Sequence, residues 1–176
     1  MSTHAILRLT HEPVQERLAG LVDLLVDAVE GGASVNFVQP MTRAKALAWW
    51  APALASQARG ERLILVAERA GRVDGTVQLV LAPQENQPFR ADLAKMPVHR
   101  RARQQGFGAA LLRAAEAEAR ALGRVLRTLD TEAGSAGERL YAQLGWTKFG
   151  EIPGYALGTD GSRRETAAFF YRELER

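Results

Sequence analysis

"RARQQGFGAALL" spans residues 101–112 and sets glycines at 106 and 108 where an alanine- and leucine-rich helix should begin. Glycine weakens a helix and frees the backbone, so two of them here need a reason. Amide N–H groups in the first turn of a helix have no partner within it, and the macrodipole adds partial positive charge. A compact anion docks on such amides when no Cβ stands in the way. Arg100, Arg101 and Arg103 come just before, which adds charge to what reads as a phosphate cradle. The plainer reading is a turn closed by Gly106. Two common phosphate motifs do not fit. A P-loop wants Lys-Ser/Thr after the glycine, where this chain has Ala109-Ala110. A dinucleotide fingerprint follows the first strand and wants glycine at 111, which is Leu.

Working outward, "FRADLAKMPV" (89–98) predicts a strand, a helix follows from about Gln105 to Leu122, and "RVLRTLD" (124–130) predicts another strand. Such a crossover requires two strands to run parallel. Upstream lie a strand in "AILRLT" (5–10) and a helix from Pro13 to Val29, with Val14, Leu18, Leu21, Leu25 and Val29 on one face. "GGAS" breaks that helix. A second one, capped by Thr42, reaches about Arg59 with Leu47, Trp50 and Leu54 on one side. "RLILVAERAGRVDGTVQLVLAP" (62–83) reads as two strands around a turn. Downstream come a helix from Ser135 to Leu144, then strands "WTKFGEIPG" (146–154) and "TAAFFYREL" (166–174) flanking the loop "GYALGTDGSRR". The order β-α-α-β-β-β-α-β-α-β-β is that of one α/β domain over residues 1–176.

Composition narrows the chemistry. Hydrophobic residues make up 47% and charged residues 24% of 176, the balance of a globular domain. No apolar run of ~18 residues exists to span a bilayer. The start, "MSTHAILRLTHEP", lacks the order of a secretory signal, so the expected compartment is the cytoplasm. The absence of cysteine excludes disulfides, thiolate metal sites and a cysteine nucleophile, and three scattered histidines argue against a metal site. A net charge of +3 without a basic stripe argues against a nucleic-acid partner.

The pattern Arg103-x-x-Gly106-x-Gly108, after a strand ending Met96-x-Val98, resembles the pyrophosphate-binding signature of the GNAT N-acetyltransferase superfamily. The element order and "RLYAQLGW" (139–146) are similar as well. The resemblance implies a GNAT fold: a mixed central sheet of about six to seven strands, helices on both faces, and a splay between the fourth and fifth strands. "VEGGASVNFV", "LDTEAGSAGERLY" and "GEIPGYALGTDG" further resemble loops of the tabtoxin-resistance branch. Loops carry ligand specificity more often than strands do.

In function, the resemblance implies acetyl-CoA-dependent transfer to the amine of a small molecule, such as a tabtoxin-like β-lactam or a related toxin or antibiotic. The alternatives are a polyamine, an amino acid or a protein amine as acceptor, or a CoA-binding module without catalysis. A homodimer would be in keeping with the superfamily. Amides of Gln104, Gln105, Gly106, Phe107, Gly108 and Ala109, with Arg103, would hold the diphosphate. Met96 and Val98 would pair with the pantetheine arm, and the Val98 N–H would polarise the thioester carbonyl. Pro97 suits either a bulge or a strand end. Tyr141 would protonate the departing thiolate. Asp130 would bind the amine and take its proton, directly or through water, with Glu132 as a second carboxylate. Glu30, Asn36 and Phe37 would line the acceptor side, while Trp49 and Trp50 pack a helix or join the pocket. His99 reads as an exposed bystander. Arg100 stands where the superfamily commonly has Pro, and Gly134 where it commonly has Asn seven residues before the tyrosine.

Overall fold

The computed structural model describes residues 5–10 and 14–174. His4, His11 and Pro13 therefore lie outside the described residues. The elements are β1 (Ala5–Arg8), α1 (Val14–Glu30), α2 (Arg43–Ala58), β2 (Arg62–Arg69), β3 (Arg72–Leu81), β4 (Arg90–Ala94), α3 (Phe107–Ala121), β5 (Leu126–Glu132), α4 (Ala136–Gln143), β6 (Thr147–Leu157) and β7 (Arg164–Glu173), with a short 3-10 turn at Arg100–Ala102. This is the order expected from the sequence. The seven strands form one sheet, β1-β2-β3-β4-β5-β7-β6. Every neighbouring pair is antiparallel except β4–β5, which is parallel.

Alternation along β2 shows how the two layers arise. Ile64 and Val66 pack with Leu21, Leu25, Val29 and Trp50 of α1 and α2. Leu63, Leu65 and Ala67 point the other way, to Phe107, Leu111, Leu112 and Ala115 of α3. A strand buried on both faces reads as an unbroken apolar run, which "RLILVA" is. Thr42 caps α2 as expected, its hydroxyl accepting from the Lys45 amide at 3.1 Å. The inward face of α2 is Ala46, Trp50 and Ala53. Leu47 is instead exposed, because the sheet meets the stripe one residue earlier.

Two strand boundaries differ from expectation. β4 stops at Ala94 rather than Val98. Lys95 takes a left-handed φ of 48°, and residues 95–97 bulge away from β3 before Val98 rejoins it through a single bridge to Gly75. Pro97 belongs to this bulge, where its missing N–H costs no ladder bond. β6 runs through Pro153 to Leu157, consuming part of the expected loop, and its register breaks between Lys148 and Gly150 and between Ile152 and Ala156.

The short β4 creates the splay. Only Arg90, Ala91 and Asp92 pair with β5, opposite Leu126, Arg127 and Thr128. β5 continues to Glu132 and is held along its whole length by β7. Between Leu129 and Glu132 its other edge faces no strand, so the sheet opens there. Beneath the opening, Arg127 is fully buried, 3.2 Å from Glu116 and stacked over Trp146 at 5.1 Å.

Candidate active site

A cavity of about 670 Å³ fills the opening. Its α3-side wall is main chain. Leu111 is the first residue of α3 able to bond wholly within the helix, and the Ala110 amide reaches back to Gly106 O at 3.0 Å. The amides of Gln104, Gln105, Gly106, Gly108 and Ala109 bond to no other group among the described residues. Gly106 sits at φ 83°, a left-handed conformation that glycine adopts without penalty, and a Cβ there would meet nothing within 4 Å. Gly108 has a different neighbour, for a Cβ on it would lie 2.8 Å from Leu140 Cδ2 of α4. Phe107 anchors the turn from below, buried in the core.

Of the expected arginine cluster, only Arg103 remains at the cavity wall, its Nε donating to Val98 O at 3.3 Å. Arg100 and Arg101 are committed elsewhere, which corrects the reading of all three as an anion cluster. The Arg100 amide and Nε each donate to Asp27 of α1 at 2.9 Å. Arg101 donates to the fully buried Asp74 at 2.6 Å and to Val73 O at 2.9 Å. These bonds fix the turn's position. They also explain the departure at 100, since proline has no N–H to give Asp27. His99 is half-buried rather than exposed, with Nδ1 3.4 Å from Asp27.

Val98 completes the main-chain wall. Its bridge to Gly75 uses the Thr76 amide to Pro97 O (3.1 Å) and the His99 amide to Asp74 O (2.8 Å). In that geometry the Val98 N–H and C=O point away from β3, toward the opening. The carbonyl accepts from Arg103, and the N–H has no partner among the described residues. Met96 lines the same wall.

Tyr141 lies on the α4 side of the cavity, only 6% exposed, with its ring against Trp146 (5.8 Å) and Phe170 (6.0 Å). Burial, reinforced by the Asp130 charge, pushes its phenol pKa up, so it keeps its proton at neutral pH. Ser135 caps α4 through the Glu138 amide (3.1 Å), and Glu138 reaches back to the Gly134 amide (2.5 Å). Gly134 takes φ 76° in this turn. The turn needs a residue at home in the left-handed region, and glycine fills that need as asparagine would.

The opposite wall faces α1 and α2. Arg127 and Leu129 point into the α3-side core, so Asp130 and Glu132 alternate to the other face. Both line the main cavity and a second one of about 560 Å³, which adds Phe37, Val38, Lys45, Tyr155, Leu157 and Glu165. Burial raises the pKa of Glu132, and the nearby Glu165 carboxylate raises it further. Asn36 lines both cavities and Phe37 the second. Glu30 lines neither, and its carboxylate accepts from the Met41 amide at 2.7 Å. Trp50 is a core residue bonded to Leu21 O at 3.1 Å, whereas Trp49 stacks edge-on against Phe37 at 5.6 Å.

Lys95 is the residue that sequence reasoning missed. Leu93 packs toward α3, and continued alternation would send residue 95 the same way. The left-handed backbone instead swings its amine over Phe37 (5.4 Å) and Trp49 (5.8 Å). The available signal was compositional: the chain has three lysines against twenty arginines, and this one interrupts an apolar stretch before Met-Pro.

Free amides at a helix start, an outward N–H at a strand bulge and a buried tyrosine thus meet around a gap between parallel strands. The chain matches the acetyltransferase (GNAT) domain over residues 60–148, half its length. It belongs to the GNAT acetyltransferase family. The match begins just before β2 and ends at the start of β6, so it covers the amide cradle, the splay and Tyr141. Solved structures of similar fold include a ribosomal-protein-alanine N-acetyltransferase from Brucella melitensis, at 24% identity and TM-score 0.80, covering 97% of this chain and 99% of that one. An N-acetyltransferase from Staphylococcus aureus Mu50 gives 21% identity and TM-score 0.81, covering 99% and 100%. YncA from Salmonella typhimurium, a structure with its cofactor acetyl-CoA, gives 22% and 0.78, covering 99% and 96%. Among the described residues no group of His, Cys, Asp and Glu is arranged to hold a metal ion, and no helix is long and apolar enough to cross a membrane.

Proposed function

We propose that this GNAT acetyltransferase moves the acetyl group of acetyl-CoA to the amine of a small molecule. The observation that carries the reading is the juxtaposition across the β4–β5 gap: unpaired amides and a protonated phenol on one side, two carboxylates on the other. The residues fit the cofactor. Amides of Gln104 to Ala109, with Arg103 beside them, would hold its diphosphate, and Met96 and Val98 would take its pantetheine arm. Bound there, acetyl-CoA supplies an acyl group activated as a thioester.

The chain's own residues then divide the work. The Val98 N–H donates toward the acyl oxygen, where negative charge grows during attack. Asp130 holds the acceptor ammonium, whose pKa of ~10.4 requires a proton to leave before attack. Glu132, with its raised proton affinity, is the second base within the same wall. Tyr141 gives its proton to the departing sulfur. Asn36 and Phe37 border the acceptor's side.

The loops 29–38, 129–141 and 150–161, which resemble those of the tabtoxin resistance protein, frame the acceptor cavity through Asn36, Phe37, Asp130, Glu132, Tyr155 and Leu157. This supports a compact toxin or antibiotic amine of the tabtoxinine-β-lactam type. The test is thiol release from acetyl-CoA over a panel of small toxins, amino acids, polyamines and peptide N-termini. One small-molecule amine should raise turnover far above hydrolysis, and Asp130→Asn should lower kcat/KM for it about tenfold or more without weakening CoA binding. No amine above background would overturn catalysis, and turnover with peptides alone would overturn the acceptor class.

A further inference from the structure

We propose that Lys95 is an internal acetyl acceptor: its side-chain amine, at the acceptor end of the β4–β5 gap, takes the acetyl group of acetyl-CoA when no amine substrate is in the second cavity. The inference rests on the acetyl-CoA reading above and adds a modification site to it.

Lys95 differs from the other two lysines. The Lys45 ammonium donates to Val38 O at 2.9 Å. Lys148 is gripped by Glu138 at 2.6 Å and Glu151 at 2.5 Å. Among the described residues the Lys95 amine has no hydrogen bond and no ion pair, only the faces of Phe37 and Trp49. It lies three residues before Val98, the proposed oxyanion donor, and lines the same cavity as Val98, Tyr141 and Asp130. The left-handed backbone at 95 is what brings it there, and departures of this kind persist only where surrounding structure enforces them.

The choice of residue type matters too. A guanidinium stays charged at every accessible pH, whereas an ammonium can be driven to the neutral, nucleophilic amine. Burial lowers the pKa of Lys95 to about 8, against the opposing pull of Asp130 on β5 and with a small push from Arg62 on β2, the charged groups that act on it. A sizeable fraction of the amine is therefore neutral in mildly alkaline solution.

The step balances without another reactant. The neutral Nζ attacks the thioester carbonyl, a C–N bond forms and the C–S bond breaks. The surplus proton on nitrogen passes to Asp130 or water, and the sulfur takes the proton of Tyr141. The products are Nε-acetyl-Lys95 and free CoA. Acetylation removes a cation facing Asp130 across the gap and adds bulk beside Phe37, so the modified protein should admit acceptors less readily.

The full-length protein incubated with acetyl-CoA alone, then cut by an arginine-specific protease, yields Lys95 in the peptide 91–100. Mass spectrometry should find one acetyl group there, incorporated at least about tenfold faster than at Lys45 or Lys148. Its rate should rise about tenfold per pH unit below 8 and level off above it. Lys95→Arg should leave that peptide without acetyl while calorimetry still shows CoA binding, and Tyr141→Phe should slow incorporation. Unmodified Lys95 in protein that binds CoA would overturn the proposal, as would equal acetylation of all three lysines. Failure to bind CoA at all would instead remove the acetyl-CoA reading on which the proposal stands.

Discussion

Toward α3 and α4, the gap between β4 and β5 is walled by main chain at Gln104, Gly106, Phe107 and Gly108 and by Val98. Toward α1 and α2, it is walled by the side chains of Lys95, Asp130, Glu132 and Phe37. In the proposed function the first wall would take what every substrate pair shares, a diphosphate and a thioester oxygen, and backbone suffices for that. The second would discriminate among amines, and only side chains vary enough to do so. In the proposed mechanism catalysis would fall between them, where Tyr141 and Asp130 line the same cavity.

The largest expected effect separates chemistry from binding. Tyr141→Phe keeps the ring packed against Trp146 and Phe170 and removes only the hydroxyl with its proton, so kcat should fall about a hundredfold with CoA affinity unchanged by calorimetry. A variant as fast as wild type would take Tyr141 out of the mechanism.

Next come the two glycines of the amide wall, which the structure distinguishes. Gly106→Ala puts a Cβ in a left-handed turn at a cost of about 1–2 kcal/mol. The free loop escapes that cost by leaving the conformation the cradle needs, so CoA should bind roughly 5- to 30-fold more weakly. Gly108→Ala meets only the flexible end of Leu140 and gains helix propensity, and its CoA affinity should stay within about threefold. Equal losses in the two would mean that room for the anion, and not conformation, dictates glycine at both places.

The smallest effect belongs to the acceptor wall. Burial and Glu165 raise the Glu132 pKa in the folded state, so the folded protein binds this proton more tightly than the unfolded chain does. That contribution favours folding at low pH and is lost as pH rises through the folded pKa. Glu132→Gln should therefore melt slightly higher than wild type at pH 7, with the gain vanishing below about pH 4. A melting temperature lowered at pH 7 would show that the ionised carboxylate stabilises the fold.

The same contrast explains what could be read from the sequence. The amide wall is contiguous, and its glycines, its preceding strand and its helix announce themselves in one short stretch. The order of elements along the chain followed from apolar runs such as "RLILVA", and the one parallel pair from the crossover between β4 and β5. The acceptor wall is assembled from residues 36–37, 95, 130–132, 155–157 and 165, which only the folded sheet brings together. Lys95 was hidden because its position depends on a backbone bulge that no local pattern signals. Glu30 shows the converse: a carboxylate beside a glycine break looked available, yet the Met41 amide after the loop claims it. Arg100 and Arg101 were likewise legible as charge but not as partners of Asp27 and Asp74, which lie 73 and 27 residues away.

Residue-resolved amide NMR during a titration with CoA tests the main-chain site most directly. The N–H signals of Gln104, Gln105, Gly106, Gly108 and Ala109 should move downfield together as the diphosphate takes their hydrogen bonds, with Val98 following when acetyl-CoA replaces CoA. If those six signals stay fixed while amides elsewhere shift, the diphosphate lies somewhere else and the division of the gap into a backbone wall and a side-chain wall is wrong.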